Sequence, residues 1–267
     1  MAETHGGSDA QPKRLLASSP VLIRLLRRAT GHANTLAGAL GIFLIAGFAV
    51  AAAGTLGFSE LAEHVRSGST TAFDDAVLTW LGSHHTKLLD SVMLEITALG
   101  TGTVVLMIAG IAGLFLVLTQ HKYSAVLLLV SAAGGIVLDG LLKLGFNRPR
   151  PHIVVWGTNA VSSSFPSGHA MSAVIVYGTV AYLAARLHKT VRARVITMLA
   201  ALIVILAICV SRLYLGVHYP TDVLAGLIIG LAWAGFCMAA LESMQLLAKR
   251  SAPEILEKEK PPPPVKG

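Results

Sequence analysis

Six apolar runs restrict this chain to very few architectures, because each is long enough to cross the roughly 30 Å hydrocarbon core of a bilayer as a helix of about 20 residues. They fall near residues 36–58, 97–119, 124–145, 168–186, 194–212 and 221–243. Lipid offers the backbone no hydrogen-bond partner, and the runs lack the two-residue alternation of barrel strands, so each is expected to be a helix. The expected fold is all-α: a polytopic membrane protein with six transmembrane helices. A composition of 54% hydrophobic and 13% charged residues over 267 positions is too apolar for a soluble domain of this size. Small residues at close helical spacing, such as Ala37 with Gly41 and Gly110 with Gly113, are read as places where helices pack tightly.

The net charge of +7 does not point to nucleic acid, because the basic residues sit in short clusters between apolar runs and not along one stripe. That distribution sets a topology. Lys13, Arg14, Arg24, Arg27 and Arg28 lie before the first run, Lys122 follows the second, and Arg186, Lys189, Arg192 and Arg194 follow the fourth; these sides are expected to face the cytoplasm. Residues 1–35 are read as a basic cytoplasmic tail with a surface helix, in preference to a cleaved signal peptide, whose n-region would be unusually long. The connection 59–96 carries only Arg66 and Lys87 against Glu60, Glu63, Asp74, Asp75, Asp90 and Glu95, and is assigned to the opposite, outer side. Within it Phe73, Val77, Trp80 and Leu81 repeat at helical spacing behind Thr71 as N-cap, with Asp74 completing an imperfect capping box. This predicts an amphipathic surface helix in the first outer loop, packed over the bundle as a lid or walling a lipid entrance. The membrane domain is bounded at 36–243. The charged, proline-rich stretch 244–267 is expected to be a disordered cytoplasmic tail. Cys209 and Cys237 lie inside apolar runs and read as buried small side chains.

Between residues 143 and 222 three polar blocks interrupt the apolar pattern: Lys143-x6-Arg150-Pro151, Pro166-Ser167-Gly168-His169, and Ser211-Arg212-x5-His218-x3-Asp222. Taken singly, each has a plainer reading. Pro-Ser-Gly-His suits a capped turn before a helix, Asp222 a helix-start charge, and Arg150 a membrane-edge anchor. Taken in order, with every polar position filled, they resemble the three-part signature of the type 2 phosphatidic acid phosphatase superfamily, which includes membrane lipid phosphatases and soluble vanadium haloperoxidases. Lys143 and Arg150 close the third span, His169 opens the fourth, Arg212 closes the fifth, and His218 and Asp222 open the sixth, so all the blocks fall on the outer side.

Phosphate-ester hydrolysis needs cations and donors around the phosphoryl oxygens, an in-line nucleophile, and an acid for the leaving oxygen. Lys143, Arg150 and Arg212 supply the cations, while Ser167 and the Gly168 N–H lie where a helix N-terminus aims its positive end at an anion. The resemblance implies that His218 is the nucleophile, forming a phosphohistidine, that Asp222 orients its ring, and that His169 is the general acid and later activates water. No cofactor and no metal are expected, since the blocks offer one carboxylate and no metal-ligand spacing. The expected function is an integral membrane lipid phosphatase acting on phosphatidate, phosphatidylglycerol phosphate or undecaprenyl pyrophosphate. The bilayer and a lipid phosphate are its partners. Its expected location is a bacterial inner membrane, with the site on the periplasmic face and both termini cytoplasmic. The alternatives are a lipid phosphotransferase, for example onto lipid A, and a non-enzymatic transporter or scaffold, which the intramembrane Asp139 would support. Asp139 lies one helical turn before Lys143 and is read as its pairing partner.

Overall fold

The computed structural model describes residues 36–152 and 162–258. Among these residues all regular structure is helical, in eight segments: α1 (Leu36–Arg66), α2 (Thr71–Gly82), α3 (Lys87–Ala98), α4 (Gly102–Leu118), α5 (Lys122–Gly145), α6 (Gly168–Leu187), α7 (Val191–Tyr214) and α8 (Pro220–Lys258). The chain divides into Met1–Ile42, of which only the first turns of α1 are described, and Phe43–Gly267, which carries all the other helices. The basic tail over residues 1–35 and the proline run after Lys258 lie outside the described residues.

Five helices are long and apolar enough to cross a membrane, and the bent pair α3–α4 makes a sixth. Six runs were expected, but the second is broken. At 17 residues α4 reaches about 26 Å at ~1.5 Å per residue, at the lower limit for a span, and α3 precedes it across a 49° bend. Gly100 in the break allows a close approach, since a Cβ atom there would stand 2.7 Å from Ile208 Cγ2 and 2.9 Å from His169 Cδ2. The Leu99 carbonyl freed at the bend accepts a hydrogen bond from the Tyr177 hydroxyl at 2.8 Å, as a polar backbone group in lipid requires.

Two helices outrun their apolar stretches. Where the sequence suggested ends at 58 and 243, α1 continues to Arg66 and α8 to Lys258. Helix-favouring Glu, Leu, Ala and Lys residues extend both past the hydrocarbon region. The surface helix is present as α2, but it starts after Thr70, whose side chain caps nothing, and it is turned differently from the expectation. Asp74 and Leu78 are its buried residues, while Phe73 and Trp80 are more than half exposed.

Helix α6 is the centre of the bundle, packing against α4, α5, α7 and α8. Its buried face, including Met171, Ile175 and Val176, joins Phe165, Leu128 and Leu241 in the main core. Close approach of α8 to α6 depends on two glycines. A Cβ at Gly226 would lie 2.5 Å from the Ser167 carbonyl oxygen, and one at Gly230 would lie 3.0 Å from that of Met171. The outward residues of α4, such as Leu106, Ile111 and Leu114, are exposed, as suits a lipid-facing surface.

Candidate active site

Helix direction alternates through α5, α6, α7 and α8, so the end of α5, the start of α6, the end of α7 and the start of α8 meet at one end of the bundle. Hydrogen bonds then join the blocks to one another. The Ser164 N–H donates to the Arg148 carbonyl at 3.0 Å, and its hydroxyl donates to the Pro149 carbonyl at 3.1 Å, tying the first block to the approach of the second. The Ser167 N–H donates to the Asp222 carbonyl at 2.9 Å, tying the second to the third. Residues separated by up to 79 positions in sequence thereby share one small polar volume between Lys143 and Asp222.

His218 is at its middle, 2% exposed, in the short connection between α7 and α8. Its Nδ1 lies 2.8 Å from the Ser164 carbonyl oxygen. A carbonyl only accepts, so Nδ1 carries the proton and Nε2 presents a lone pair. That Nε2 is 3.4 Å from Arg150 Nη1. Burial pushes the His218 imidazole below its ordinary pKa; the Asp222 charge opposes this, and the nearby Arg212 and Arg150 cations add to it. The ring is thus held neutral with one nitrogen free, which is the state a nitrogen nucleophile needs.

Asp222 occupies a different place from the one its spacing suggested. Its Oδ2 is 3.6 Å from His218 Nδ1, too far for a hydrogen bond, and accepts instead from the Tyr219 N–H at 2.9 Å. Its Oδ1 accepts from Arg148 Nη1 at 2.6 Å. Arg148 also donates to Asp74 Oδ2 at 2.7 Å and to the Thr221 hydroxyl at 2.8 Å, and its guanidinium stacks on the Tyr219 ring at 4.0 Å. Asp74 and Asp222 are both fully buried, and one arginine bridges the two carboxylates at the base of the site.

Around His218 stand the donors. Arg150 is held by the Val217 carbonyl at 2.9 Å and by Ser162. Arg212 Nη1 donates to the Thr97 hydroxyl at 2.7 Å, while its buried Nε and the buried Ser167 hydroxyl have no protein partner among the described residues. Lys143 pairs with Asp139 at 2.7 Å, so the intramembrane carboxylate that favoured a transporter is engaged as a helix ion pair. Gly168 begins α6 against this pair: a Cβ there would lie 3.0 Å from both Asp139 oxygens and from Lys143 Nζ. His169, in the first turn, backs onto Gly100 at the broken span and lines a cavity of about 350 Å³ with Lys143 and Gly168. The structure therefore gathers all eight expected site residues at one end of the bundle, with Asp222 one step further from the imidazole than its four-residue spacing implied.

Sequence reasoning did not single out Asp74, Thr97, Arg148, Ser164 or Thr221. Arg148 carried a usable signal, a second Arg-Pro directly before Arg150-Pro151. Asp74 carried a misleading one, since its place in the first turn of α2 imitated a cap.

A model of the PAP2 superfamily matches residues 124–244, which contain all three blocks. The chain is 31% identical over 180 residues to phosphatidylglycerophosphatase B of Bacillus subtilis, covering 65% of this chain and 86% of that protein. It is 29% identical to the undecaprenyl-diphosphatase BcrC of the same organism over 56% of this chain and 73% of that protein. Among solved structures it resembles the crystal structure of a transmembrane PAP2 type phosphatidylglycerolphosphate phosphatase from Bacillus subtilis, with a TM-score of 0.65 and 26% identity over 79% of this chain and 97% of that one. With its helical membrane bundle and its three polar blocks gathered about one buried histidine, the chain belongs to the PAP2 superfamily.

Proposed function

We propose that this protein is a membrane phosphatase that removes the terminal phosphate of a lipid monophosphate or diphosphate through a phosphohistidine at His218. The observation that carries the reading is the His218 ring: Nδ1–H bound to the Ser164 carbonyl, the Nε2 lone pair turned to Arg150 at 3.4 Å, and the Ser167 hydroxyl and Arg212 Nε buried without partners among the described residues. Buried donors of that kind are costly unless an anion accepts from them. In the first step Nε2 attacks phosphorus, the ester or anhydride bond breaks, and His169 gives its proton to the departing oxygen. In the second, His169 takes a proton from water, whose oxygen attacks the phosphoryl group and frees His218. Lys143, Arg150, Arg212, the Ser167 hydroxyl and the Gly168 N–H hold the phosphoryl oxygens throughout. Asp222 supports His218 by its negative charge at 3.6 Å, and the Ser164 carbonyl supports it by direct hydrogen bonding.

Phosphatidate, phosphatidylglycerol phosphate and undecaprenyl pyrophosphate are the candidate substrates, two of them from the activities for which the relatives are named. Purified protein is expected to release inorganic phosphate from at least one of these, and the rate should survive excess chelator because side-chain cations take the role of divalent ions. No release from any of the three, or a rate restored only by added metal, overturns the reading.

This reading puts the site on the outer face of a bacterial inner membrane, supported by Arg186, Lys189, Arg192 and Arg194 clustered where α6 ends and α7 begins, at the other end of the bundle. Single cysteines at the exposed positions His152 and Val191 should then react with impermeant reagent from opposite sides of intact cells, the buried Cys209 and Cys237 staying silent. Labelling of both from outside refutes the orientation.

The pH profile of kcat/KM should be bell-shaped, with limbs belonging to the coupled site. Because burial lowers the His218 pKa, neutral imidazole persists into mildly acidic solution, and the rate falls only as pH drops through that lowered value. Asp222 is the charge that opposes the lowering, so Asp222→Asn is expected to move the acid limb to lower pH while reducing the maximal rate. An acid limb that rises instead removes Asp222 from the electrostatics of the ring.

A further inference from the structure

The cavity beside His169 opens among α4, α5 and α6, and most of its wall is apolar, including Val105, Leu106, Ile136, Ile175 and Val176. Its charged wall is Asp139 with Lys143, next to Gly168 and His169. Asp139 Oδ2 is used by Lys143 at 2.7 Å, whereas Oδ1 is buried and accepts from nothing among the described residues. A carboxylate oxygen so placed in apolar surroundings is poorly satisfied until a donor reaches it.

The position of Asp139 tells which part of a substrate would bring that donor. In the reading above, the phosphoryl group lies among His218, Arg150, Arg212 and Ser167, and its leaving oxygen turns towards His169. Whatever is bonded to the leaving oxygen continues into the cavity that His169 lines. Asp139 stands one helical turn deeper along α5 than Lys143, against Gly168 at the mouth of the cradle. It also lines the cavity that would take the leaving group, so its free oxygen is within reach of the atoms just beyond the scissile bond.

We propose that Asp139 is a specificity-determining residue: its free oxygen accepts a hydrogen bond from a hydroxyl on the leaving alcohol, favouring lipid phosphomonoesters of a polyol over lipid diphosphates. Phosphatidylglycerol phosphate offers such a hydroxyl next to its scissile oxygen. Phosphatidate offers none, because both remaining glycerol oxygens are acylated. A lipid diphosphate presents an anionic phosphate at that point, facing a carboxylate of the same sign. This selectivity rests on the phosphatase reading and refines its substrate class.

The test measures kcat/KM for phosphatidylglycerol phosphate, phosphatidate and undecaprenyl pyrophosphate in detergent, for the wild type, Asp139→Asn and Asp139→Ala. Ratios between substrates cancel any general effect of loosening Lys143. Asp139→Ala should lower the ratio of phosphatidylglycerol phosphate to phosphatidate by about tenfold or more, the worth of a hydrogen bond to a charged acceptor. Asp139→Asn keeps an acceptor oxygen in the same shape but loses the charge. It should hold that ratio within about threefold while raising the relative rate on the diphosphate. If both variants lose activity by one common factor on every substrate, Asp139 serves only to hold Lys143 and the inference is overturned, though the phosphatase reading stands. If the wild type releases phosphate from none of the three, the phosphatase reading itself fails.

Discussion

His218→Ala is expected to lower phosphate release by at least about 10⁴-fold, or about 5 kcal/mol of transition-state stabilisation, because it removes the atom proposed to bond to phosphorus. No other side chain of the cradle can take its place. Lys143 and the two arginines are cations, and the Ser167 hydroxyl has no base bonded to it. Wild-type protein quenched in base during turnover of a radiolabelled lipid phosphate should carry a label that survives base and is lost on later treatment with acid, as a phosphoramidate is. His218→Ala should carry none. Since His218 also holds the Ser164 carbonyl, His218→Asn serves as a control that keeps an amide donor near that oxygen while removing the nucleophile. Both variants should still unfold cooperatively and near the wild-type temperature. A label that persists in His218→Ala, or a residual rate above about one hundredth of wild type, would place the nucleophile elsewhere.

Arg148→Ala should instead weaken the fold itself. Arg148 is 14% exposed and bridges two carboxylates that are wholly buried, Asp74 of α2 and Asp222 of α8. Removing one partner from a buried ion pair costs roughly 3–5 kcal/mol, because the remaining charge keeps its desolvation penalty without its attraction. Here two charges are stranded together. The melting temperature in detergent should fall by on the order of 10 °C, at ~2–4 °C per kcal/mol for a chain of this size. Arg148→Lys should fall between, since an ammonium keeps the charge but cannot reach both carboxylates and the Thr221 hydroxyl with a planar fork. Adding Asp74→Asn to Arg148→Ala should recover part of the loss, a non-additivity expected of groups in one network. An Arg148→Ala protein within about 1 kcal/mol of wild type would show that water reaches these carboxylates and that the bridge is incidental.

These two expectations separate what each level of structure contributes. The all-helical class was written in the apolar runs, because lipid leaves a spanning backbone little choice but to satisfy its own hydrogen bonds. The end of the bundle that holds the site was also legible: the polar blocks sit at the ends of runs, and successive spans must alternate in direction. Lys143, Arg150, Ser167, Gly168, His169, Arg212, His218 and Asp222 were recognisable because a phosphate needs cations, donors and an imidazole whatever the fold around them.

Pairings across long sequence distances were not legible. That Asp74 serves Arg148 and Thr221, 74 and 147 positions away, follows only from α2 lying over the start of α8, and no local pattern encodes that meeting. The break at Gly100 was hidden for the same reason: the run through α4 is apolar enough to read as one helix, and the neighbours that leave no room for a side chain at Gly100, Ile208 and His169, are distant in sequence. Even the four-residue spacing of His218 and Asp222 misled in detail. Spacing brings the two side chains near each other, but Arg148 and the Tyr219 N–H take the carboxylate oxygens, and the imidazole turns to a backbone carbonyl contributed by the approach to α6. The sequence by itself determined the chemistry available and the membrane that surrounds it, since both depend on residue types and their order. Which acceptor each donor obtains was decided only by the tertiary structure, because a buried polar group bonds to whatever the packed helices bring within about 3 Å.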